Sequence, residues 1–359
     1  MRVRSLPGHQ VGALSPGAAA SRSATGALRG FVRMQAAAGE TDAARALVDA
    51  TWPLALAFSG GADSTALVLA ARRVWPGRRL IALHVHHGLQ SAADEFAAHA
   101  AGQCERWGIE CRVLRVQVQL RRGGSLEEQA REQRHAALQG AARDAGCGWL
   151  LLGHQADDQA ESLLLALLRG AGPAGLAAMP AAVRRGGVWL GRPLLGCPAA
   201  GLRAELDAAR VAYVVDPMNA DPALRRSRIR HELLPVLDAL EPAWRRTLGR
   251  SAALCAQAAL QVRAGAALDL QACRGLPGLR LEGLAALDRA RRAEALRAWL
   301  GELGVRSNSA QLANLCRQLD APPQAAMCVR LGGARLWREG AWLRCEPAAR
   351  APQPADRAR

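Results

Sequence analysis

The stretch Leu54 to Ser64 reads L-A-L-A-F-S-G-G-A-D-S, and the rest of the chain is organised around it. A short apolar run, Leu54 to Phe58, stops at Ser59-Gly60-Gly61 and is followed by the helix-compatible run Ser64 to Arg73. Strand, tight turn and helix in that order make a phosphate cradle. Gly60 and Gly61 lack Cβ atoms, so the backbone can take positive φ and turn its N–H groups toward an anion. The hydroxyls of Ser59 and Ser64 add hydrogen bonds, and the helix N-terminus adds its dipole. No lysine follows the glycines, which excludes the Walker pattern G-x-x-x-x-G-K-S/T.

The 359 residues allow two or three domains of ordinary size. Aromatics make up only 4%, so Leu, Ala and Val must supply the cores. The 47 basic and 31 acidic residues leave a net charge of +16, carried wholly by Arg because the chain has no lysine. A high-GC genome explains the missing lysine but not the net charge, which points to a polyanionic partner such as nucleic acid. Nine cysteines are scattered with no C-x-x-C pair. They read as buried thiols in a reducing compartment, not as a disulfide framework, zinc site or iron–sulfur site. No apolar run reaches the roughly 18 residues of a membrane span. The expectation is a soluble, cytoplasmic protein with no membrane partner.

From Leu54 onward strand-like and helix-like segments alternate, as in a doubly wound, mainly parallel α/β sheet. Strands are expected at Leu54 to Phe58, Leu80 to Val85, Cys111 to Val116 and Trp149 to Leu152. Helices are expected at Ser64 to Arg73, Ala92 to Trp107, Leu126 to Ala145 and Asp157 to Leu168. In such a sheet the ligand lies beyond the carboxyl ends of the strands, where this chain places Ser59-Gly60-Gly61, His84 to Gly88 and Gly153-His154. Residues 1–45 have the composition of a disordered extension or a misplaced start, with Met34 as the alternative first residue. Residues 46–240 are expected to form the α/β domain that carries the phosphate loop, 241–275 a helical linker, 276–346 a small α+β domain and 347–359 a disordered tail.

Three segments bear on chemistry. The basic loop Arg121-Arg122-Gly123-Gly124-Ser125 leads into a helix whose Arg131 and Arg134, three apart, share one face. In Gly153-His154-Gln155-Ala156-Asp157-Asp158-Gln159-Ala160-Glu161, Asp158 and Glu161 share a face at i, i+3. Carboxylates there serve as dipole partners of the helix, or bind an amine, orient Mg2+ or take a proton. Finally, Arg225-Arg226-Ser227-Arg228-Ile229-Arg230 puts four guanidiniums within six residues, suited to phosphate clamping.

These segments, with His84-Val85-His86-His87-Gly88-Leu89, Arg169-Gly170, Gly175-Leu176, Asp216 and Asn219, occur in one order. The loop resembles the S-G-G-x-D-S loop of the PP-loop, or N-type ATP pyrophosphatase, superfamily. The whole set, from about Leu54 to Leu237, resembles the bacterial tRNA(Ile)-lysidine synthetases. Leu281 to Cys345 is similar, less specifically, to that family's small tRNA-binding domain.

The resemblance implies an ATP-dependent ligase that joins L-lysine to the wobble cytidine of tRNA(Ile) with a CAU anticodon. The base would be adenylated first, releasing pyrophosphate, and the lysine ε-amine would then displace AMP. The product would change codon specificity from AUG to AUA and identity from Met to Ile. Ser59, Gly60, Gly61, Ala62, Asp63 and Ser64 would bind ATP, with Asp63 holding or orienting Mg2+. Arg131 or Arg134 would neutralise developing charge, and His154 would transfer a proton or position a group. Asp158 and Glu161 would act in catalysis and hold lysine, and Asn219, Arg226, Arg228 and Arg230 would complete the substrate site.

Two departures stand out. Ser227 replaces an Asn frequent in the family, and a third domain found in some members has no room after Cys345. The sequence does not give the oligomeric state, and a homodimer stays open. The rival readings are a tRNA-thiolating PP-loop enzyme, which usually carries paired cysteines, and an ammonia-using synthetase, which does not need the basic cluster. A non-catalytic RNA-binding protein would not need Ser59, Asp63, Asp158 and Glu161 intact.

Overall fold

The structure, a computed structural model, describes residues 2–3, 23–37, 42–86, 93–116, 126–215, 225–322 and 327–347. The chain divides into two units, Met1–Leu254 and Cys255–Arg359. The first half of unit one runs β1 (Arg2–Val3), α1 (Ala24–Ala37), α2 (Asp42–Val48), β2 (Leu54–Ala57), α3 (Ala62–Val74), β3 (Leu80–His86), α4 (Ala93–Arg106) and β4 (Glu110–Arg115). Then come α5 (Leu126–Asp144), β5 (Trp149–Leu151), α6 (Ala156–Leu167), α7 (Pro173–Leu176), β6 (Ala182–Arg185), β7 (Val188–Gly191) and α8 (Ala199–Ala208). The unit closes with β8 (Val214–Val215), α9 (Arg225–Arg228), a π-helical turn Ile229–Leu233, α10 (Leu234–Leu240) and the first part of α11 (Trp244–Cys273).

Six strands form the main sheet in the order β4-β3-β2-β5-β7-β6, parallel except for the edge strand β6. The central strands read as continuous apolar runs because both faces are covered. Along β2, Leu54, Leu56 and Phe58 enter the core beneath α1, α3, α4 and α8, while Ala55 enters the core beneath α5. Trp149 and Leu151 of β5 join the first core, Leu150 and Leu152 the second. The chain leaves β2 for β3 and β4 on one side and returns to β5 on the other. The switch point therefore lies between the carboxyl ends of β2 and β5, where Ser59 and Gly153 begin their loops.

The hairpin of β6 and β7 was not among the expected strands. It turns on Gly186 and Gly187, both at positive φ (59° and 84°), the two-residue turn that suits right-twisted strands. Residues 24–37 and 42–45, which fall in α1 and α2, also differ from the expected disordered extension. In α1, Ala24, Leu28 and Phe31 at i, i+4, i+7 form one buried face, and Phe31 meets Trp149 edge-on at 5.8 Å. A Cβ on Gly191 would lie 3.0 Å from the Phe31 ring, so glycine makes that seat possible. Arg78 is buried and donates to the carbonyls of Ala46 and Leu47, satisfying the C-terminal end of α2. Leu28 is fully buried, and Leu28→Ala is expected to cost about 2–5 kcal/mol in denaturant unfolding. A chain begun at Met34 loses the whole buried face and should melt lower still; equal melting would contradict this packing.

Within unit two, β9 (Leu279–Arg280), α12 (Leu281–Ala285), α13 (Arg289–Glu302), α14 (Ser309–Leu319), β10 (Cys328–Leu331), β11 (Ala334–Glu339) and β12 (Trp342–Glu346) follow. Its antiparallel sheet has the order β10-β11-β12-β9. The expected Gly332-Gly333 turn joins β10 to β11, with both glycines at positive φ. Leu296, Leu300, Leu315, Leu336 and Leu343 fill the core of this unit. The division between units falls within α11, in the stretch expected to be a linker.

Candidate active site

The phosphate loop is built as the sequence requires. Gly60 takes φ of 82°, and its carbonyl accepts from the Val214 amide at 2.9 Å, tying the loop to β8. The Ser64 hydroxyl donates to the Gly61 carbonyl at 2.9 Å, and the Ser59 amide donates to the same hydroxyl at 3.2 Å. Ser59 Oγ lies 3.1 Å from Ser64 Oγ and accepts from the Gly61 amide. No side chain caps α3 at Gly61, so the first amides of the helix, beginning at Ala62, stay open to an anion. Gly153, at the end of β5, sits where a Cβ would be 3.1 Å from the backbone of Asp63 and Ser64. Only glycine lets the two loops of the switch point touch.

A cavity of about 640 Å³ opens here, lined by Ser59, Asp63, Asp158, Arg203, Arg230 and Arg245 among others. Asp63 Oδ1 is buried and has no hydrogen-bond partner. Burial first, and then the charge of Asp158, push the Asp63 carboxyl up to about 7. Such a group calls for a cation. Among the described residues there is no cluster of three metal-ligating side chains. Mg2+ commonly takes one or two carboxylates and completes its shell with water and phosphate oxygens, so Asp63 fits that ion.

On α6 each carboxylate has a separate setting. Asp157 accepts from the Ala199 amide at 3.1 Å and from Arg245, so it pins α8 and α11 and is structural. Asp158 Oδ2 accepts from the Gln155 amide at 3.1 Å in a capping box, while Oδ1 faces Arg230 at 3.3 Å. Glu161 is fully buried; Arg230 donates to its Oε1 at 2.7 Å, and its Oε2 has no partner. Burial raises the pKa of both Asp158 and Glu161, opposed by Arg230.

The arginine cluster does not act as one surface. Arg230 turns into the site through the π-helical turn, where it pairs with Asp158 and Glu161. Arg228 stays outside, paired with Glu232 at 3.0 Å. Arg226 reaches Ser162 Oγ at 3.5 Å, one turn along α6 from Asp158, and Ser227 is buried. Arg131 and Arg134 also part. Arg134 borders a cavity of about 270 Å³ with Ser59, Asp63 and His154, whereas Arg131 borders another cavity with Arg226.

His154 stacks on His135 at 6.5 Å between ring centres, a residue the sequence reading did not single out. Burial, then Arg192, His135, Arg226 and Arg134, hold His154 down to about 3, so it is neutral at physiological pH, and its buried Nδ1 has no partner. His135 is held down to about 4 by burial and by Arg134 and Arg131. Asn219, Asp216, His87 to Leu89 and the loop Arg121 to Ser125 lie outside the described residues.

The PP-loop domain family matches residues 40–237, and the TilS substrate binding domain matches 279–343. Fold and loop together thus define a PP-loop enzyme that uses ATP and carries a small substrate-binding domain. A tRNA(Ile)-lysidine synthase of Polaromonas naphthalenivorans is 41% identical over 82% of this chain and 92% of its own length. Those of Pseudomonas aeruginosa and Ralstonia nicotianae are 43% and 44% identical over 80% and 81% of this chain, and over 68% and 64% of their own longer sequences. The chain belongs to the tRNA(Ile)-lysidine synthase family, ligases that form a carbon–nitrogen bond. A U34-tRNA thiolase of Methanococcus maripaludis shares the fold with a TM-score of 0.51 at 18% identity, covering 64% of this chain and 78% of its own.

Proposed function

We propose that this enzyme joins lysine to the wobble cytidine of tRNA(Ile) with a CAU anticodon in two steps at one site. The observation that carries this reading is the shared cavity, in which the phosphate loop faces Asp158 across the switch point, with Glu161 buried behind it and joined to it through Arg230. In the first step the carbon 2 oxygen of cytidine attacks the α-phosphorus of ATP, and the bond to pyrophosphate breaks. The loop amides and the hydroxyls of Ser59 and Ser64 hold the departing phosphates, and Arg134 stabilises charge at the α-phosphorus. Mg2+ held by Asp63 would neutralise the pyrophosphate as it leaves.

In the second step the lysine ε-amine attacks carbon 2, and the bond to the AMP oxygen breaks. Glu161 offers an ammonium group the acceptor that Arg230 leaves unused, with Asp158 beside it. His154, neutral and with a free ring nitrogen, positions a donor and is poorly suited to take a proton. The product reads AUA in place of AUG and accepts Ile in place of Met. No helix among the described residues is long and apolar enough to cross a membrane. We infer a cytoplasmic enzyme from its tRNA substrate.

The test is an order-of-addition experiment with ATP labelled at the α-phosphate. Without lysine the label should enter tRNA, and a lysine chase should discharge it as AMP. Label that never enters tRNA would reject the adenylated intermediate.

A further inference from the structure

Further along α6 from Asp158, where Ser162 and Leu165 follow it at i+4 and i+7, lies a cavity of about 620 Å³ whose lining includes Arg131, Arg169, Arg226, Ser162, Leu165 and Met179. No Asp or Glu lines it. Arg131 and Arg169 make no ion pair or hydrogen bond among the described residues; Arg226 has a long contact to Ser162 Oγ at 3.5 Å and also feels the carboxylates of Asp158 and Glu161. Three guanidiniums border a hollow lined by no acid, two of them without a counter-charge, and an anion there would relieve their repulsion.

The wall is built with care for its shape. Met179 exchanges two hydrogen bonds with the Gln159 side chain, at 3.0 and 3.1 Å, fixing the loop after α7 to α6. Ala178 takes a φ of 51°, a left-handed conformation uncommon outside glycine, and it lines the cavity. Gly175 cannot carry a side chain, because a Cβ would lie 2.6 Å from Ala171 Cβ. The Arg169-Gly170 and Gly175-Leu176 segments, otherwise without a role, thus form this one feature.

We infer that this cavity binds one nucleotide of the substrate RNA strand next to the reacting cytidine, with its phosphodiester on Arg131, Arg169 and Arg226 and its base over Leu165 and Met179. The apolar floor suits a base face, and the arginine forks suit phosphate oxygens. The inference rests on the proposed function, since Ser162 and Leu165 share a face of α6 with Asp158 and the cavity lies one to two turns along the helix from the site of lysine attachment. It gives Arg131 to the RNA and leaves Arg134 to ATP.

The experiment uses the full chain and a tRNA(Ile) transcript with a CAU anticodon, with affinity measured across a salt series. Arg169 is exposed, so Arg169→Gln should fold normally, with an unchanged melting temperature as the control. It should bind tRNA about tenfold more weakly, the loss typical of one charge-assisted contact. The slope of log affinity against log salt should fall by about 0.7, the share of one single-strand phosphate. Arg169→Lys should retain the slope while losing part of the affinity. ATP affinity should be unaltered. Unchanged tRNA affinity and slope would overturn the assignment, as would a parallel loss of ATP affinity, which would mark a phosphate site for ATP. Lysine-dependent turnover of the unmodified enzyme on the same tRNA tests the functional reading separately.

Discussion

Asp63→Asn is expected to reduce pyrophosphate release by about a thousandfold, the effect of losing several kcal/mol of charge stabilisation at the leaving group. The same change should stabilise the unliganded protein at alkaline pH. The folded-state carboxyl sits at about 7, above its ordinary range, because it is buried and faces Asp158. Its protonation therefore favours the fold fully below the unfolded value of about 3.9, and that contribution disappears as pH rises through 7. The wild type should lose melting temperature between pH 4 and 8 more steeply than Asp63→Asn, which has no proton to lose there. Asp158 and Glu161 act in the same direction but are common to both proteins. Melting curves against pH without metal, paired with a pyrophosphate assay, check both halves. Wild-type turnover in the variant, or parallel melting profiles, would contradict the role given to Asp63.

Glu161→Gln should separate the two chemical steps. Glu161 is fully buried, engaged by Arg230 through one oxygen only. An amide in its place keeps the volume but removes the charge that a lysine ammonium needs. The loss is expected to be about 2 kcal/mol or more, over tenfold in kcat/KM for lysine. Adenylation of tRNA, measured in a single turnover without lysine, should fall much less. If only ATP affinity suffers and lysine dependence is intact, Asp158 and Glu161 are metal-binding or structural groups.

Much of this arrangement was legible in the residues. Strand, Ser59-Gly60-Gly61 and helix follow from local chemistry, since apolar run, φ-permissive turn and helix formers adjoin in the chain. The i, i+3 spacing of Asp158 and Glu161 likewise fixed their common face. What escaped depends on contacts across the fold. In α1 only Ala24, Leu28 and Phe31 are buried, too few against a background of Gly, Ala and Arg for composition to register. The available signal was their 3.6-residue spacing. The β6 and β7 hairpin was announced by Gly186-Gly187, but Arg184 and Arg185 disguised the strand before it. Arg230 was grouped with Arg226 and Arg228 because a one-dimensional charge run carries no facing, and a π-helical turn cannot be read from Ile229 to Leu233. His135 looked like one more polar residue on a charged helix, and only the sheet brings it over His154. Asp157 was given no role beyond opening the helix, and only the positions of Ala199 and Arg245 make it a brace.

The central claim is that the phosphate loop and the α6 carboxylates act together on lysine and tRNA. It is tested most directly by measuring pyrophosphate and AMP formation, and label in tRNA, with each of the twenty amino acids and tRNA(Ile) bearing a CAU anticodon. Sustained AMP release and stable incorporation are expected with lysine alone, both abolished when the wobble cytidine is replaced by uridine. Equal turnover with other amino acids, or incorporation indifferent to the wobble base, would contradict it.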